Sequence, residues 1–297
     1  MSPRRVTVIG TGLVGTSVAL ALRRAGVRVA LADRDPDAVA GAARMGAGGR
    51  LAADTPRADV VVIATPPSAV AGVLREAQRR GLGAAYTDVA GVKAPLLADA
   101  ARAGCDLAAY VPGHPMAGRE LSGPAGAAAD LFRGRPWALC PHPRLAPGPL
   151  NAAVGLAALC GADPVLVASA DHDRTAAAVS HVPHLLSSAL AARFADADDA
   201  SDPELLALAG RGLRDMTRIA AGAPALWHDI LRRNAGEVSA VLDAVVRDLA
   251  EVAAALREDD PGGDRLLDLL ARGAQGRARI VKVPSGRAVP PRTGPTR

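Results

Sequence analysis

The chain has 297 residues, 49% of them hydrophobic, with a formal net charge of +5 and a pI near 9.7. This length suits two domains of ordinary size, and no apolar run is long enough to span a membrane. The basic charge lies in the tail, because residues 261–297 carry eight basic and two acidic side chains. The rest is nearly neutral and has few aromatic residues, so we expect no nucleic-acid partner and no membrane partner.

Cysteine usage and the N-terminus bear on the compartment. The three cysteines, Cys105, Cys140 and Cys160, are odd in number and lack the spacing of a metal site. This pattern is typical of reduced thiols in a cytoplasmic protein. The first apolar stretch leads into a glycine loop rather than a cleavage site, so we expect no signal peptide and a cytoplasmic location.

Short apolar runs alternate with helical stretches in the first half of the chain. Strands are predicted over residues 4–9, 27–32, 59–64, 84–89 and 107–111, with helices over 13–25, 36–45, 67–80 and 95–103. Two further edge strands are predicted over 137–140 and 164–167, with a helix over 150–160 between them. This alternation predicts an α/β fold with a Rossmann-type parallel sheet that is covered by helices on both faces.

The pattern changes near residue 169, after which the sequence has helical apolar spacing. Helices are predicted over 169–194, 203–221 and 224–257, followed by a short helix over 265–271 and a mobile end. We therefore expect an NAD-binding domain over residues 1–168 and an all-helical substrate and dimerisation domain over 169–260. Residues 261–297 form a basic tail rich in proline and glycine. Long apolar helices of this kind predict a homodimer.

The most informative local motif follows the first strand, where Gly10, Gly12 and Gly15 have the spacing Gly-x-Gly-x-x-Gly. Gly10 permits a tight turn, Gly12 lets the backbone approach a pyrophosphate, and Gly15 allows close packing of helix and strand. With the intervening residues Thr11 and Leu13, this loop predicts a dinucleotide-binding site. A strand-to-helix turn without a ligand is the alternative.

Asp33 ends the second predicted strand, eighteen residues after Gly15. Its carboxylate is placed to accept hydrogen bonds from a ribose 2′-hydroxyl and to repel a 2′-phosphate, which favours NAD over NADP. The neighbouring Arg34 complicates this prediction, because an arginine can pair with a 2′-phosphate.

A distinctive loop with the sequence GHPMAGRE follows the fifth strand and contains His114 and Glu120. Ligands of open parallel sheets bind beyond the carboxyl ends of the strands, so His114 is placed to face a nicotinamide. An imidazole can accept a proton from an alcohol as hydride leaves the same carbon. A loop histidine that only bonds to backbone is the alternative.

A second motif, SHVPH, places Ser180, His181 and His184 on the first long helix. Residues three apart share a helix face, so both imidazoles point in similar directions, and Pro183 distorts the helix there. A zinc site needs three or four converging ligands and NAD-dependent dehydrogenation needs no metal, so we expect none.

Two more groups of charged residues are candidates for binding. Arg214 and Arg218 lie four apart on one helix face, next to Asp215, and such a pair suits an anionic substrate. A solvated helix face is the alternative. Asp88 and Lys93 follow the fourth strand at the same sheet edge and are predicted to contact the cofactor.

The chain resembles the prephenate/arogenate dehydrogenase family of tyrosine biosynthesis in five motifs and in their order. These motifs are GTGLVGTS, DVAGVK, GHPMAGRE, SHVPHLLSSAL and GLRDMTRIA. The resemblance covers residues 5–257. It implies a dimeric enzyme that transfers hydride from C4 of prephenate to NAD while CO2 leaves C1. It also implies that His114 meets the C4 hydroxyl and that Arg218 binds a substrate carboxylate. The resemblance further implies that Ser180, His181 and His184 line the pocket and that Glu120 and Asp215 pair with arginines at its entrance.

One position departs from the family. Many relatives have serine at the place of Gly91, and that hydroxyl joins the hydrogen bonds around the C4 oxygen. The sequence leaves three substrates open, which are prephenate, arogenate and 4-amino-4-deoxyprephenate. Outside the family, the alternatives are a hydroxyacid or imine dehydrogenase and a non-enzymatic NAD sensor. Residues 169–260 contain no lysine, which counts against dehydrogenases that use a lysine from the helical half.

Overall fold

Six parallel strands form the main sheet of the computed structural model, which describes residues 2–118, 123–196, 203–257 and 263–282. The order across the sheet is β3-β2-β1-β4-β5-β6. The strands are β1 (Arg5–Ile9), β2 (Arg28–Ala32), β3 (Gly49–Arg50), β4 (Ala58–Ile63), β5 (Gly83–Asp88) and β6 (Tyr110–Val111). The predicted Rossmann-type parallel sheet is confirmed, with β3 as an additional short edge strand.

Helices cover both faces of this sheet. They are α1 (Leu13–Arg24), α2 (Pro36–Arg44), α3 (Pro67–Arg79), α4 (Ala94–Arg102) and α5 (Pro147–Leu159). Successive side chains of a strand point to opposite faces. In β4, Val60 and Val62 belong to one apolar core, while Val61 and Ile63 belong to another. A continuous run of valine and isoleucine is therefore what a strand buried on both sides requires.

The two predicted edge strands form, but not in the main sheet. They are β8 (Pro136–Leu139) and β9 (Asp163–Leu166), which join β7 (Gly113–Pro115) in a separate three-stranded sheet. The predicted strand over residues 107–111 is also shorter, because residues 107–109 form a 3-10 turn before β6. Strand β7 runs antiparallel to β8 and places His114 opposite Ala138.

The second half is helical, as predicted, but its helices are interrupted. They are α6 (Ser169–Ala176), α7 (Val182–Ala191), α8 (Pro203–Ala207), α9 (Arg211–Thr217), α10 (Pro224–Arg233), α11 (Ala235–Ala255) and α12 (Gly263–Lys282). A π-helical turn over residues 177–181 joins α6 to α7, and it accommodates Pro183, which has no N–H to donate. Helix α12 is longer than predicted and continues through residues where we expected a mobile end.

Asp173 of α6 joins the helical half to the sheet half. Its carboxylate accepts hydrogen bonds from the backbone N–H groups of Lys93 and Ala94, both at 2.8 Å. These donors lie at the start of α4, so Asp173 caps a helix that belongs to the other half of the chain. The side chain of Asn234 donates to the carbonyl of Asp173 at 2.8 Å.

A second contact lies on the same side of the molecule. Arg233 of α10 donates to Asp99 of α4 at 2.6 Å and to Asp229 at 2.9 Å. Asp229 in turn accepts from the backbone N–H of Ser68 at the start of α3, at 2.7 Å. These bonds set the distance between the sheet edge and the helical half. None of the described helices is long and apolar enough to cross a membrane.

Candidate active site

A cleft of about 610 Å³ lies between the carboxyl edge of the main sheet and the helical half. The sheet half contributes Gly12, Thr65 and His114, and the helical half contributes His181 and Trp227. This is the position at which open parallel sheets bind their ligands.

Within the glycine loop, two glycines shape the backbone and one faces the cleft. Gly10 has a φ of +103°, and a Cβ on Gly15 would lie 1.9 Å from the carbonyl oxygen of Gly10. Gly12 lines the cleft together with Leu13, and a Cβ on Gly12 would meet no atom within 4 Å. Thr11 is fully buried behind the loop. Gly12 and Leu13 are therefore the predicted loop residues that directly line the cleft.

Asp33 lies at the end of β2 and is held by the glycine loop. Its Oδ2 accepts from the backbone N–H of Thr11 at 2.6 Å and from Thr11 Oγ1 at 3.1 Å. Against burial, which would raise it, the backbone N–H groups of Thr11 and Asp35 hold the pKa of Asp33 below its ordinary value. Asp33 is therefore an anion that would repel a 2′-phosphate, while Arg34 is exposed.

A second observation also indicates that the cleft fits a dinucleotide. The hydroxyl of Thr65, which lines the cleft, is buried and has no hydrogen-bond partner among the described residues. A buried hydroxyl without a partner is costly, and a bound ribose or phosphate would supply one. Together with the space above Gly12, this makes the glycine loop, Thr65 and Asp33 the residues that would hold NAD.

The structure places Asp88 and Lys93 beneath the cleft, because both side chains are fully buried and paired with each other. Lys93 Nζ also donates to the carbonyl of Gly113 at 2.5 Å, and Asp88 accepts from the hydroxyl of Tyr110 at 2.7 Å. The backbone N–H of Ala90 is a further donor to Asp88 at 2.9 Å. The two side chains that we predicted to contact the cofactor thus support the strand that carries His114.

His114 is half-buried in the middle of β7 and lines the cleft. Its Nδ1 lies 2.9 Å from Nε2 of His172, and Nδ1 of His172 lies 2.8 Å from the Asp173 carboxylate. Burial, reinforced by the nearby His172, Lys93 and His181, holds the pKa of His114 well below its ordinary value. The imidazole is therefore neutral at physiological pH and can accept a proton.

The SHVPH motif contributes to the cleft in part. Ser180 and His181 line it, while His184 is buried behind Trp227, with the two rings stacked at a centroid distance of 3.6 Å. Burial, with the nearby His172, lowers the pKa of His181 to about 4. His181 bonds to the backbone of Gly91, and its Nδ1 lies 3.1 Å from the Asn234 amide. His181 is therefore a neutral, immobilised ring.

The predicted charged residues lie away from the cleft wall. Arg214, Asp215 and Arg218 are exposed, and none of them lines the cleft within this single chain. Arg218 begins the 3-10 turn that ends one residue before Gly222, which does line it. Glu120 lies outside the described residues.

Sequence analysis missed residues that the fold brings to the site, namely Thr65, His172, Asp173, Trp227 and Asn234. The triplet Asp171-His172-Asp173, which lies shortly before the SHVPH motif, was the available signal for two of them. Among the residues that the structure describes, no three histidine, cysteine or carboxylate side chains converge to hold a metal ion.

Two family models match the chain. The nucleotide-binding domain of prephenate dehydrogenase matches residues 18–166, and the dimerization domain of prephenate dehydrogenase matches residues 168–272. "Probable prephenate dehydrogenase NovF" of Streptomyces niveus is 39% identical over 93% of this chain and 77% of its own length. Cyclohexadienyl dehydrogenase of Zymomonas mobilis is 29% identical over 89% of this chain and 92% of its own.

A solved structure has the same fold. The prephenate dehydrogenase of A. aeolicus, in complex with hydroxyphenyl propionate and NAD+, superposes with a TM-score of 0.82 at 24% identity. The match covers 94% of this chain and 99% of that one.

The two kinds of glycine in the loop can be separated by mutation. Gly15→Ala forces a Cβ against backbone, so we expect the unfolding temperature to fall on the order of 5–10 °C, with loss of NAD binding. Gly12→Ala meets no neighbour, so stability is kept while the methyl group obstructs the pyrophosphate and weakens NAD binding roughly tenfold or more. Differential scanning calorimetry and titration calorimetry with NAD measure both effects.

The matched control is Gly72→Ala in α3, where an added Cβ also meets no atom within 4 Å. It should leave NAD binding unchanged and should not lower stability, because alanine favours a helix interior over glycine by about 1 kcal/mol. If Gly12→Ala bound NAD as tightly as the wild type, this loop would not be the pyrophosphate cradle.

Proposed function

We propose that this chain, which belongs to the prephenate dehydrogenase family, catalyses the NAD-dependent oxidative decarboxylation of prephenate to 4-hydroxyphenylpyruvate in tyrosine biosynthesis. The observation that carries this proposal is the placement of His114. Its ring lies in a cleft between a dinucleotide-type glycine loop and the helical half, and it is neutral and backed by His172. Such a ring is suited to act as a general base.

The reaction needs one proton acceptor and one hydride acceptor. Prephenate carries a hydroxyl on C4 and a carboxylate on C1 of its ring, and NAD supplies the acceptor for the hydride that leaves C4. His114 accepts the C4 hydroxyl proton as this hydride leaves, and CO2 then leaves C1 as the ring becomes aromatic. The developing phenolate takes the proton back from His114, so the balanced reaction releases no proton.

Other residues of this chain bind the substrate and exclude water. Ser180 and His181 lie in the cleft wall, where the hydroxyl of Ser180 and the ring surface of His181 can contact the substrate side chain. Arg214 and Asp215 lie in the helix before the turn that leads to the cleft, and Arg218 begins this turn. Arg218 is the proposed ligand of a substrate carboxylate. Glu120 is proposed to act at the pocket entrance, and His184 acts through its stacking on Trp227.

The proposed active form is a cytoplasmic homodimer. Apolar side chains between 53% and 65% exposed lie along the last two helices, at Val246, Leu249, Leu256, Leu267 and Leu270. Exposed apolar surface of this extent indicates an interface, and a dimerization-domain model matches this region. The proposed division is an NAD-binding domain over residues 1–168, a helical domain over 169–260 and a basic tail over 261–297.

A second candidate substrate rests on Gly91. Glycine supplies no hydroxyl to the C4 oxygen, so arogenate and 4-amino-4-deoxyprephenate remain alternatives to prephenate within the same chemistry. Arogenate differs only in the side chain, whereas the amino compound differs at C4 itself.

The proposed activity is tested by mixing the purified protein with NAD and each of the three substrates. With prephenate, we expect NADH and CO2 to form in equal amounts, measured by absorbance and by CO2 capture. NADH without CO2 would contradict the mechanism. Turnover of the amino compound alone would reassign the substrate, and NAD binding without any turnover would support a sensor instead.

The role of His114 predicts a specific pH dependence. Because its pKa is held well below 6.5 and the base works unprotonated, kcat/KM should stay level as the pH falls from about 8 through 6.5 and decline only below that. His114→Asn should lower kcat about 10²- to 10⁴-fold with unchanged NAD affinity. His228→Asn, at an exposed histidine of α10, is the control. A wild-type decline centred at or above pH 6.5 would argue against this assignment.

Restoring serine at position 91 tests the departure from the family. A Cβ there would lie 3.5–3.7 Å from the side chain of Ile230, an ordinary contact, so serine fits. If the enzyme acts on prephenate, Gly91→Ser should raise kcat about fivefold, the equivalent of about 1 kcal/mol for one net hydrogen bond. Gly72→Ser is the control. If folded Gly91→Ser lost prephenate turnover instead, the serine hydroxyl would not assist this reaction, and the pocket of this enzyme would require glycine at position 91.

A further inference from the structure

Three side chains form a continuous chain that leads away from the cleft. His114 contacts His172 at 2.9 Å, and His172 contacts Asp173 at 2.8 Å. His172 and Asp173 are only 4% and 3% exposed. They belong to α6 in the helical half, whereas His114 belongs to β7 in the sheet half.

The direction of each hydrogen bond follows from Asp173. Its two oxygens accept from the backbone N–H groups of Lys93 and Ala94 at the start of α4. Both oxygens therefore act as acceptors toward this helix terminus, and a carboxylate can only accept. Nδ1 of His172 must therefore carry the proton that points to Asp173.

The same reasoning extends to His114. A neutral His172 with its proton on Nδ1 presents a lone pair on Nε2. Nδ1 of His114 faces this lone pair at 2.9 Å, so it must be the donor. Nε2 of His114 is then left without a proton, and it is the nitrogen available to receive one.

We propose that His172 and Asp173 are positioning residues that fix His114 in its Nδ1–H tautomer and share the proton that His114 accepts. The catalytic part of this inference rests on the proposed function, whereas the tautomer does not. As His114 Nε2 takes the C4 hydroxyl proton, the Nδ1 proton shifts to His172 Nε2. The positive charge then lies beside the Asp173 carboxylate, and both shifts reverse when the proton returns to the phenolate.

The surroundings of His114 favour this shift. The buried ammonium of Lys93 and the ring of His181 both oppose a positive charge on His114. His172, in contrast, lies in direct contact with a carboxylate. The other carboxylate nearby, Asp88, is already paired with Lys93. Asp173 is therefore the group in this described neighbourhood that can stabilise the transferred charge.

The tautomer is tested by NMR of protein labelled with ¹⁵N-histidine, which has six histidines in all, with His114→Gln to assign the resonance. We expect His114 to show the Nδ1–H form without any ligand and to shift toward the Nε2–H form in His172→Leu. An Nε2–H ring in the wild type, or no change in His172→Leu, would overturn the inference. This result does not depend on turnover, so it is distinguishable from failure of the proposed function.

Kinetics separate positioning from proton sharing. In His172→Gln, the amide oxygen can accept from His114 while the amide nitrogen donates to Asp173, so the tautomer is kept but no proton can be shared. We expect kcat to fall about tenfold in His172→Gln and about 10²- to 10³-fold in His172→Leu. KM for both substrates should stay within about twofold of the wild-type value.

The matched control is His142→Gln, at a half-buried histidine that bonds to the backbone of Tyr110, and it should leave kcat unchanged. NAD affinity and thermal unfolding show whether each variant is folded. If folded His172→Leu kept the wild-type kcat, His172 would have only a structural role. The same would hold if the Gln and Leu variants lowered kcat/KM equally, by raising KM with kcat unchanged.

Discussion

The carboxylate of Asp173 is the interaction on which the site depends. It caps α4 from the other half of the chain and also accepts from His172. This side chain therefore joins the two halves and, through His172, sets the proposed tautomer of His114. Because the same two oxygens serve all of these contacts, relative movement of the halves would change the base as well as the shape of the cleft.

The buried pair of Lys93 and Asp88 supports the same strand from below. Removing two charges from water costs several kcal/mol, which the pair offsets only if the remaining donors and acceptors are also satisfied. Here Tyr110 and Ala90 donate to Asp88, and Lys93 donates to Gly113, the residue before His114. The pair thus stabilises the main chain beside the base, and Lys93 adds to the effects of burial and of His172, which lower the pKa of His114.

Local signals predicted most of the fold, whereas distant contacts could not be predicted. The valines of β4 and the glycine loop identified the parallel sheet, and His114 lines the cleft at the carboxyl edge of this sheet. Asp88 and Lys93 lie at that edge too, but no pattern shows that their side chains point downward into the core. His172 contacts His114 across 58 positions of sequence, and spacing in a single sequence carries no information on such a pair.

The protonation states of the site follow from one arrangement of charges. The pKa of His181 is about 4 in the folded chain against an ordinary value of 6.5. As the pH falls, the unfolded chain therefore binds a proton at His181 before the folded chain does. The stability that neutral His181 contributes is fully present above about pH 6.5 and is lost as the pH falls toward 4. Burial lowers the pKa of His114 as well. His172, in contrast, directly contacts the carboxylate of Asp173. In the proposed reaction, a proton that His114 accepts is therefore stabilised through His172, the ring that lies beside this anion.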